Sequence, residues 1–272
     1  MTQSASISDS ISSFITVYFF TSTVTLIAAV ALVAGVVHAG PIHDAAKNGD
    51  TIALQQIIIE GEDANLADAD GLTPLIWASR NGHSDVVEVL TVQGNINLEA
   101  KDKDGLTAMH WAARRGHEKV LEILLPAGAK VDARDKVGYT PLHWAAGDKG
   151  DEWVCELLLE AEADVDARDK EQSRTPLHLA AFAGHVSAGR MLIENEAKID
   201  AKTTNGTTPL HFSALNNHRD MADLLTENGA DIESQGGRSG TALHIAAYRG
   251  NRSLVTLFID QGADLARIIR ET

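Results

Sequence analysis

TPLHWAA, residues Thr140 to Ala146, places a hydroxyl, an imidazole and an indole within five positions. Such a stretch is either a site of chemistry or a piece of framework, and repetition decides between the two. The phrase recurs as TPLI at Thr73, TAMH at Thr107, TPLH at Thr175 and Thr208, and TALH at Thr241. The steps from Thr73 onward are 34, 33, 35, 33 and 33 residues. Counting back 33 from Thr73 reaches Gly40, where GPIHDAAKNGD (40–50) is a degenerate first copy. A fixed period of this size marks a repeat architecture.

Each recurring position has a physical reason. The threonine hydroxyl caps a helix N-terminus. Proline follows in the first turn, where its missing N–H leaves no bond unmade. The Ala-Ala pairs at 112–113, 145–146, 180–181 and 246–247 favour helix and let neighbouring helices approach closely. Nine residues after the threonine stands Gly82, Gly116, Gly184 or Gly250, suited to a left-handed helix stop. A second apolar run follows, as in VVEVL (86–90), VLEILL (120–125), CELLL (155–159) and LVTLFI (254–259), and reads as a second helix behind the first. Turns at Asp70-Gly71, Asp104-Gly105 and Asn205-Gly206 close the unit. A turn and two antiparallel helices cannot bury their apolar faces alone; stacked units share one core.

The pattern resembles the ankyrin repeat, a unit of about 33 residues carrying T-P-L-H-x-A. The resemblance covers residues 40–272 in seven copies, near 40–69, 70–103, 104–136, 137–170, 171–204, 205–237 and 238–272. It implies an all-α solenoid of helix-turn-helix units joined by β-hairpin-like loops. It also implies a non-catalytic protein-interaction module that needs no cofactor. Several copies depart from the pattern. Ile76 replaces the histidine, and Ala108 and Ala242 replace the proline. Copy four has an extra residue before Gly150. Copy two has one near GNIN (94–97), and the turn EQSR (171–174) is longer and lacks glycine. All three length changes are expected to fall in loops.

The chain has 272 residues, 44% of them hydrophobic, and a net charge of −15. That acidity argues against a general nucleic-acid binder. The single cysteine, Cys155, permits neither an internal disulfide nor a cysteine zinc cluster and reads as a buried, inert thiol. Residues 1–39 hold no Lys or Arg and a single acid, Asp9; Phe14 to Val37 is uncharged. This apolar segment is read as a secretory signal cleaved after Ala39, giving an exported protein, or as a retained membrane anchor over 14–37.

The histidines are periodic. His43, His110, His143, His178, His211 and His244 hold the fourth motif place, and His83, His117, His185 and His218 follow the helix-ending glycine or its Asn217 replacement. His38 lies in the leader. A catalytic histidine would be singular; in the family the motif histidine orders the hairpin by hydrogen bonding. Trp77, Trp111 and Trp144 share one motif place and read as a core column, and Trp153 is expected in the core as well. DADG (68–71) and DKDG (102–105) lack the flanking carboxylates of a calcium loop. NGT (205–207) and NRS (251–253) match a glycan acceptor pattern that also arises by chance.

Family resemblance implies contact through the finger-like turns and the concave face of the first helices. The seventh residue after each motif threonine reads Lys47, Arg80, Arg114, Gly147, Phe182, Leu215 and Tyr248. The first three are basic, with Arg115 alongside; the last three are apolar. The fingers add Lys101, Lys103, Arg134, Lys136, Arg168, Lys170 and Lys202. Strand-like alternation would send these bases to one side and Asp102, Asp135 and Asp169 to the other. The expected partner is a protein with an acidic segment and an apolar anchor, bound by a monomer; the alternative is a structural scaffold at a membrane surface.

Overall fold

The computed structural model describes residues 40–237 and 240–265. Fourteen α-helices occur among them, in seven antiparallel pairs. The inner helices are α1 (Pro41–Asn48), α3 (Pro74–Asn81), α5 (Ala108–Arg115), α7 (Pro141–Trp144), α9 (Pro176–Ala183), α11 (Pro209–Leu215) and α13 (Ala242–Tyr248). The outer helices are α2 (Thr51–Ile59), α4 (Ser84–Thr91), α6 (Glu118–Leu124), α8 (Glu152–Glu160), α10 (Val186–Glu194), α12 (Arg219–Glu227) and α14 (Arg252–Asp260). None exceeds nine residues. Isolated helices shorter than about 12–15 residues are marginal in water, so stacking is what holds these.

Stacking is continuous. Each inner helix packs on the next inner helix, and each outer helix on the next outer one. Ala112, Ala113, Ala145, Ala146, Ala180, Ala181 and Ala246 are fully buried at the inner contacts. Behind them Val87, Leu90, Leu121, Leu124, Val154, Leu158, Leu192, Leu225 and Phe258 join one cluster running the length of the described residues. Fully burying one such side chain is worth about 1.5–3 kcal/mol, and most of that is available only with a neighbour in place.

The motif histidine organises each inner helix start. In five repeats, the threonine backbone N–H donates to Nδ1 of the histidine three residues on, at 3.0–3.2 Å. The threonine Oγ1 lies 2.8–2.9 Å from the same nitrogen. Where Ile76 replaces histidine, the Thr73 hydroxyl instead accepts the Ile76 N–H at 3.3 Å. On the far side of the ring, Nε2 reaches the next repeat. His110 donates to the Tyr139 carbonyl at 3.1 Å, His143 to Arg174 at 3.1 Å, His178 to Thr207 at 3.2 Å and His211 to Gly240 at 3.0 Å. In the first repeat His43 instead bonds the Leu66 carbonyl of its own repeat, at 2.8 Å.

A second histidine set points backwards along the stack. Nε2 of His83, His117, His185 and His218 bonds the carbonyls of Lys47, Arg80, Asp148 and Phe182, at the inner-helix end of the preceding repeat. The left-handed glycines make room for them: a Cβ on Gly49 or Gly82 would meet the ring of His83 or His117 at 2.7 Å.

Two expectations are corrected here. The extra residue of copy four lies in a helix, not a loop: Ala145–Lys149 forms a π-turn that continues α7. Trp153 is solvent-facing, 64% exposed. Helix α8 buries Val154, Cys155 and Leu158, and that rotation leaves Trp153 on the outer side. The other two length changes do fall in turns, with Ser173 taking a left-handed φ of 58° where glycine is missing.

No strand occurs among the described residues. Successive fingers are joined by single backbone bonds, from Lys103 N to Asp70 O (2.9 Å), Lys136 N to Asp104 O (3.1 Å) and Lys170 N to Val137 O (3.0 Å). Asp102, Asp135 and Asp169 nevertheless point inward, because their carboxylates take the backbone N–H groups of their own turns. No described helix is long and apolar enough to cross a membrane. The expected signal or anchor over 1–39 lies outside the described residues.

Candidate partner-binding groove

The candidate groove residues lie at the C-terminal ends of the inner helices and in the finger turns. The first half is a ladder of cations and indoles. Lys47 Nζ lies 5.0 Å from the Trp77 ring centroid, and the Arg80 guanidinium 5.2 Å from Trp77 and 4.5 Å from Trp111. Arg114 continues it, 5.3 Å from Trp111 and 4.4 Å from Trp144; Arg115 lies 5.9 Å from Trp111. These spacings are within reach of cation–π attraction, worth about 0.5–1 kcal/mol at exposed sites. The tryptophans are held from beneath. Trp77, Trp111 and Trp144 donate Nε1–H to Asp68, Asp102 and Asp135 at 2.8–3.0 Å. Only Trp111 is buried; Trp77 and Trp144 are half-buried, so the expected core column is also part of the groove floor.

Beside the ladder lies a shallow basin of about 640 Å³ lined by Lys47, Trp77, Arg80, Asn81, His83, Arg115, His117 and Lys149. It contains no carboxylate, on a chain with a net charge of −15. Burial, and then the charges of Arg115, His83 and Lys149, hold His117 below the usual imidazole range. Lys149 was not among the sequence candidates; the π-turn brings it in.

The second half is apolar. Phe182 is 50% exposed and packs edge-on against Phe212 at 6.0 Å. Leu215 is half-buried against the core, and Tyr248 is 92% exposed. Between the halves, at Gly147, is a deeper cleft of about 470 Å³, walled by Tyr139, Trp144, Phe182 and Phe212, with Arg114 and Arg174 at its edges. Tyr139, Arg174 and Phe212 were also missed by sequence reading. The signal for the cleft was the ten-residue gap from Thr140 to Gly150, where the other copies have nine.

The finger bases divide by role. Lys101 donates to the Arg134 carbonyl at 2.9 Å. Arg134 donates to the carbonyls of Gly138 (3.1 Å) and Arg168 (2.6 Å), and Arg168 to those of Ser173 (3.3 Å) and Lys202 (2.9 Å). These three side chains stitch successive fingers together. Lys103 pairs with Asp70 at 2.9 Å, and Lys136 donates to the Lys103 carbonyl. Lys170 and Lys202 are exposed. No cluster able to hold a metal ion occurs among the described residues.

The titratable groups inside the stack are set by burial. His143 and His178 are pushed down to about 4, chiefly by desolvation, and His110 and His211 are lowered for the same reason. With Nδ1 accepting an N–H and Nε2 donating to a carbonyl, each ring is a neutral structural member.

Family models described as ankyrin repeats match residues 42–135, 142–236 and 220–259. The chain belongs to the ankyrin-repeat family. Its ankyrin repeats superpose on the crystal structure of the human ASB11 ankyrin repeat domain with a TM-score of 0.73 at 25% identity, covering 83% of this chain and 99% of that one. The ankyrin repeat domain of Bcl-3 gives 0.67 at 28% identity over 76% of this chain and 93% of that one. Among curated proteins, osteoclast-stimulating factor 1 of Rattus norvegicus is 55% identical over 92 residues, 34% of this chain and 43% of the relative. The Bos taurus protein is likewise 55% identical over 92 residues. The chain thus spans less than half the length of these relatives. Ankyrin repeats of this kind are a protein–protein interaction module.

Proposed function

We propose that this chain is a monomeric, non-catalytic adaptor that binds an acidic, extended segment of a partner protein along the groove. The observation that supports this most is a basic basin lined by no carboxylate in the first repeats, followed along the stack by an aromatic cleft and exposed apolar side chains in the later ones. Arg is enriched at interface hot spots, and the indoles beneath hold these cations in place before any partner arrives. The described histidines are engaged in bonds within and between repeats, which supports a structural role for them. The apolar leader supports one of two addresses: export, if it is cleaved after Ala39, or membrane anchoring, if residues 14–37 are retained; N-terminal sequencing of the mature protein distinguishes these.

The groove is tested by affinity capture from the native source with the full chain, Arg80→Glu plus Arg115→Glu, and Phe182→Asp plus Tyr248→Asp. A partner retained by the parent and lost by both variants, with unchanged circular dichroism, is the expected result. Equal capture by all three overturns the groove. Capture of nothing by the parent selects the alternative, a scaffold without a soluble ligand.

A further inference from the structure

The one repeat whose inner helix is lengthened is also the one with no side chain at the groove position. Gly147 stands where the other copies place Lys47, Arg80, Arg114, Phe182, Leu215 and Tyr248. The inserted residue is absorbed as a π-turn, a feature that recurs at functional sites. The turn presses backbone onto the next repeat: a Cβ at 147 would come within 2.9 Å of Leu179 Cβ. The result is a cleft rather than another filled rung.

The walls are braced before anything enters. Tyr139 stacks on His143 at 5.1 Å and meets Trp144 edge-on at 5.5 Å. Phe212 is held edge-on by both His178 (5.7 Å) and Phe182 (6.0 Å). The two cations at the edge are fixed as well. Asp148, on the π-turn, takes Arg114 Nε at 2.7 Å, and Asp169 takes Arg174 Nε at 2.6 Å. Arg174 also lies 5.2 Å from the Tyr139 ring. A volume of about 470 Å³ falls within the roughly 300–1,000 Å³ common for ligand sites.

We infer that this cleft is a specificity pocket for one large apolar side chain, phenylalanine or leucine, within an extended acidic segment. Aromatic walls select the side chain, and the fixed arginines and neighbouring basin select the carboxylates that flank it. The inference rests on the groove reading above and adds to it the residue that anchors the partner.

The test is fluorescence anisotropy with the full chain and three labelled peptides of alternating Glu and Asp, identical except for a central Phe, Leu or Gly. The Phe and Leu peptides are expected to bind roughly tenfold tighter than the Gly peptide. Deleting Gly147 restores the nine-residue spacing and should erase this preference; because the same deletion moves Asp148 and Lys149, the readout is the ratio between peptides and not the affinity of any one. Phe182→Ala, which inserts no backbone change, should reduce the preference in the same way and serves if the deletion does not fold. Equal binding of the three peptides, or a preference that survives both variants, overturns the pocket. If binding is equal yet abolished by Arg80→Glu plus Arg115→Glu, the basic groove stands and only the pocket falls. If no peptide binds, both fall.

Discussion

His178 and Thr207 are joined across a repeat boundary, Nε2 to carbonyl oxygen at 3.2 Å, while the same ring accepts the Thr175 N–H on Nδ1 at 3.0 Å. One imidazole therefore starts a helix in one repeat and ties down the turn of the next. His178→Ala removes both bonds, leaves the buried Thr175 N–H short of a partner and the Thr207 carbonyl with only the Thr203 N–H, and opens a cavity. An unsatisfied buried group costs about 1–3 kcal/mol, so a loss of about 2–4 kcal/mol is expected with the cavity included. Urea unfolding of the variant reads it directly. A change under about 0.5 kcal/mol would show the ring to be dispensable.

The same rings make stability depend on pH. His143 and His178 fall to about 4 in the folded chain from an ordinary value near 6.5. The folded state binds fewer protons than the unfolded state between these values. The stability they confer is full above about pH 6.5 and is lost as pH falls toward 4, on the order of 3 kcal/mol each over that window. Asp132 and Asp200, raised by burial, act in the opposite direction at the acid end. The urea midpoint should be flat above about pH 7 and drop steadily below 6.5; a midpoint unchanged down to pH 5 would contradict the neutral-ring assignment.

The framework was readable because its causes are local. Thr, Pro, His and Gly sit at set distances around one helix, and the helix start and stop they make can be read without knowing what lies in the next repeat. What was not readable depends on packing between repeats. An added residue before Gly150 is compatible with a longer turn or a π-turn, and the choice depends on packing against the next repeat, where Gly147 lies close to Leu179. Trp153 belongs to an apolar run, but the rotation of α8 is set by neighbouring outer helices. Lys101, Arg134 and Arg168 read as contact residues because their acceptors are backbone carbonyls in other parts of the chain, which leave no trace in a residue pattern.

Cys155 gives a probe of the core. It is fully buried, and burial first, then the charges of Asp151 and Glu152, push its thiol up to about 12. The thiolate is the reactive form, so the native chain should not label with a disulfide reagent at about pH 8. In urea it should label completely, and the native rate should follow global unfolding. Rapid native labelling would mean that repeat four opens on its own.

Gly82 and Gly250 occupy the same motif place with nearly the same backbone, φ 77° and 71°. They differ in what stands beyond them. A Cβ at Gly82 would meet the His117 ring at 2.7 Å, whereas one at Gly250 meets nothing within 4 Å. Gly250→Ala should therefore lose only the left-handed preference, about 1–2 kcal/mol. Gly82→Ala should lose that and also displace the ring from the Arg80 carbonyl it bonds at 3.2 Å, adding about 1–3 kcal/mol of overpacking. Parallel denaturation of the two variants separates backbone conformation from histidine stacking. Equal losses would mean that the glycine serves the helix stop alone and that the backward-pointing histidine adapts without cost.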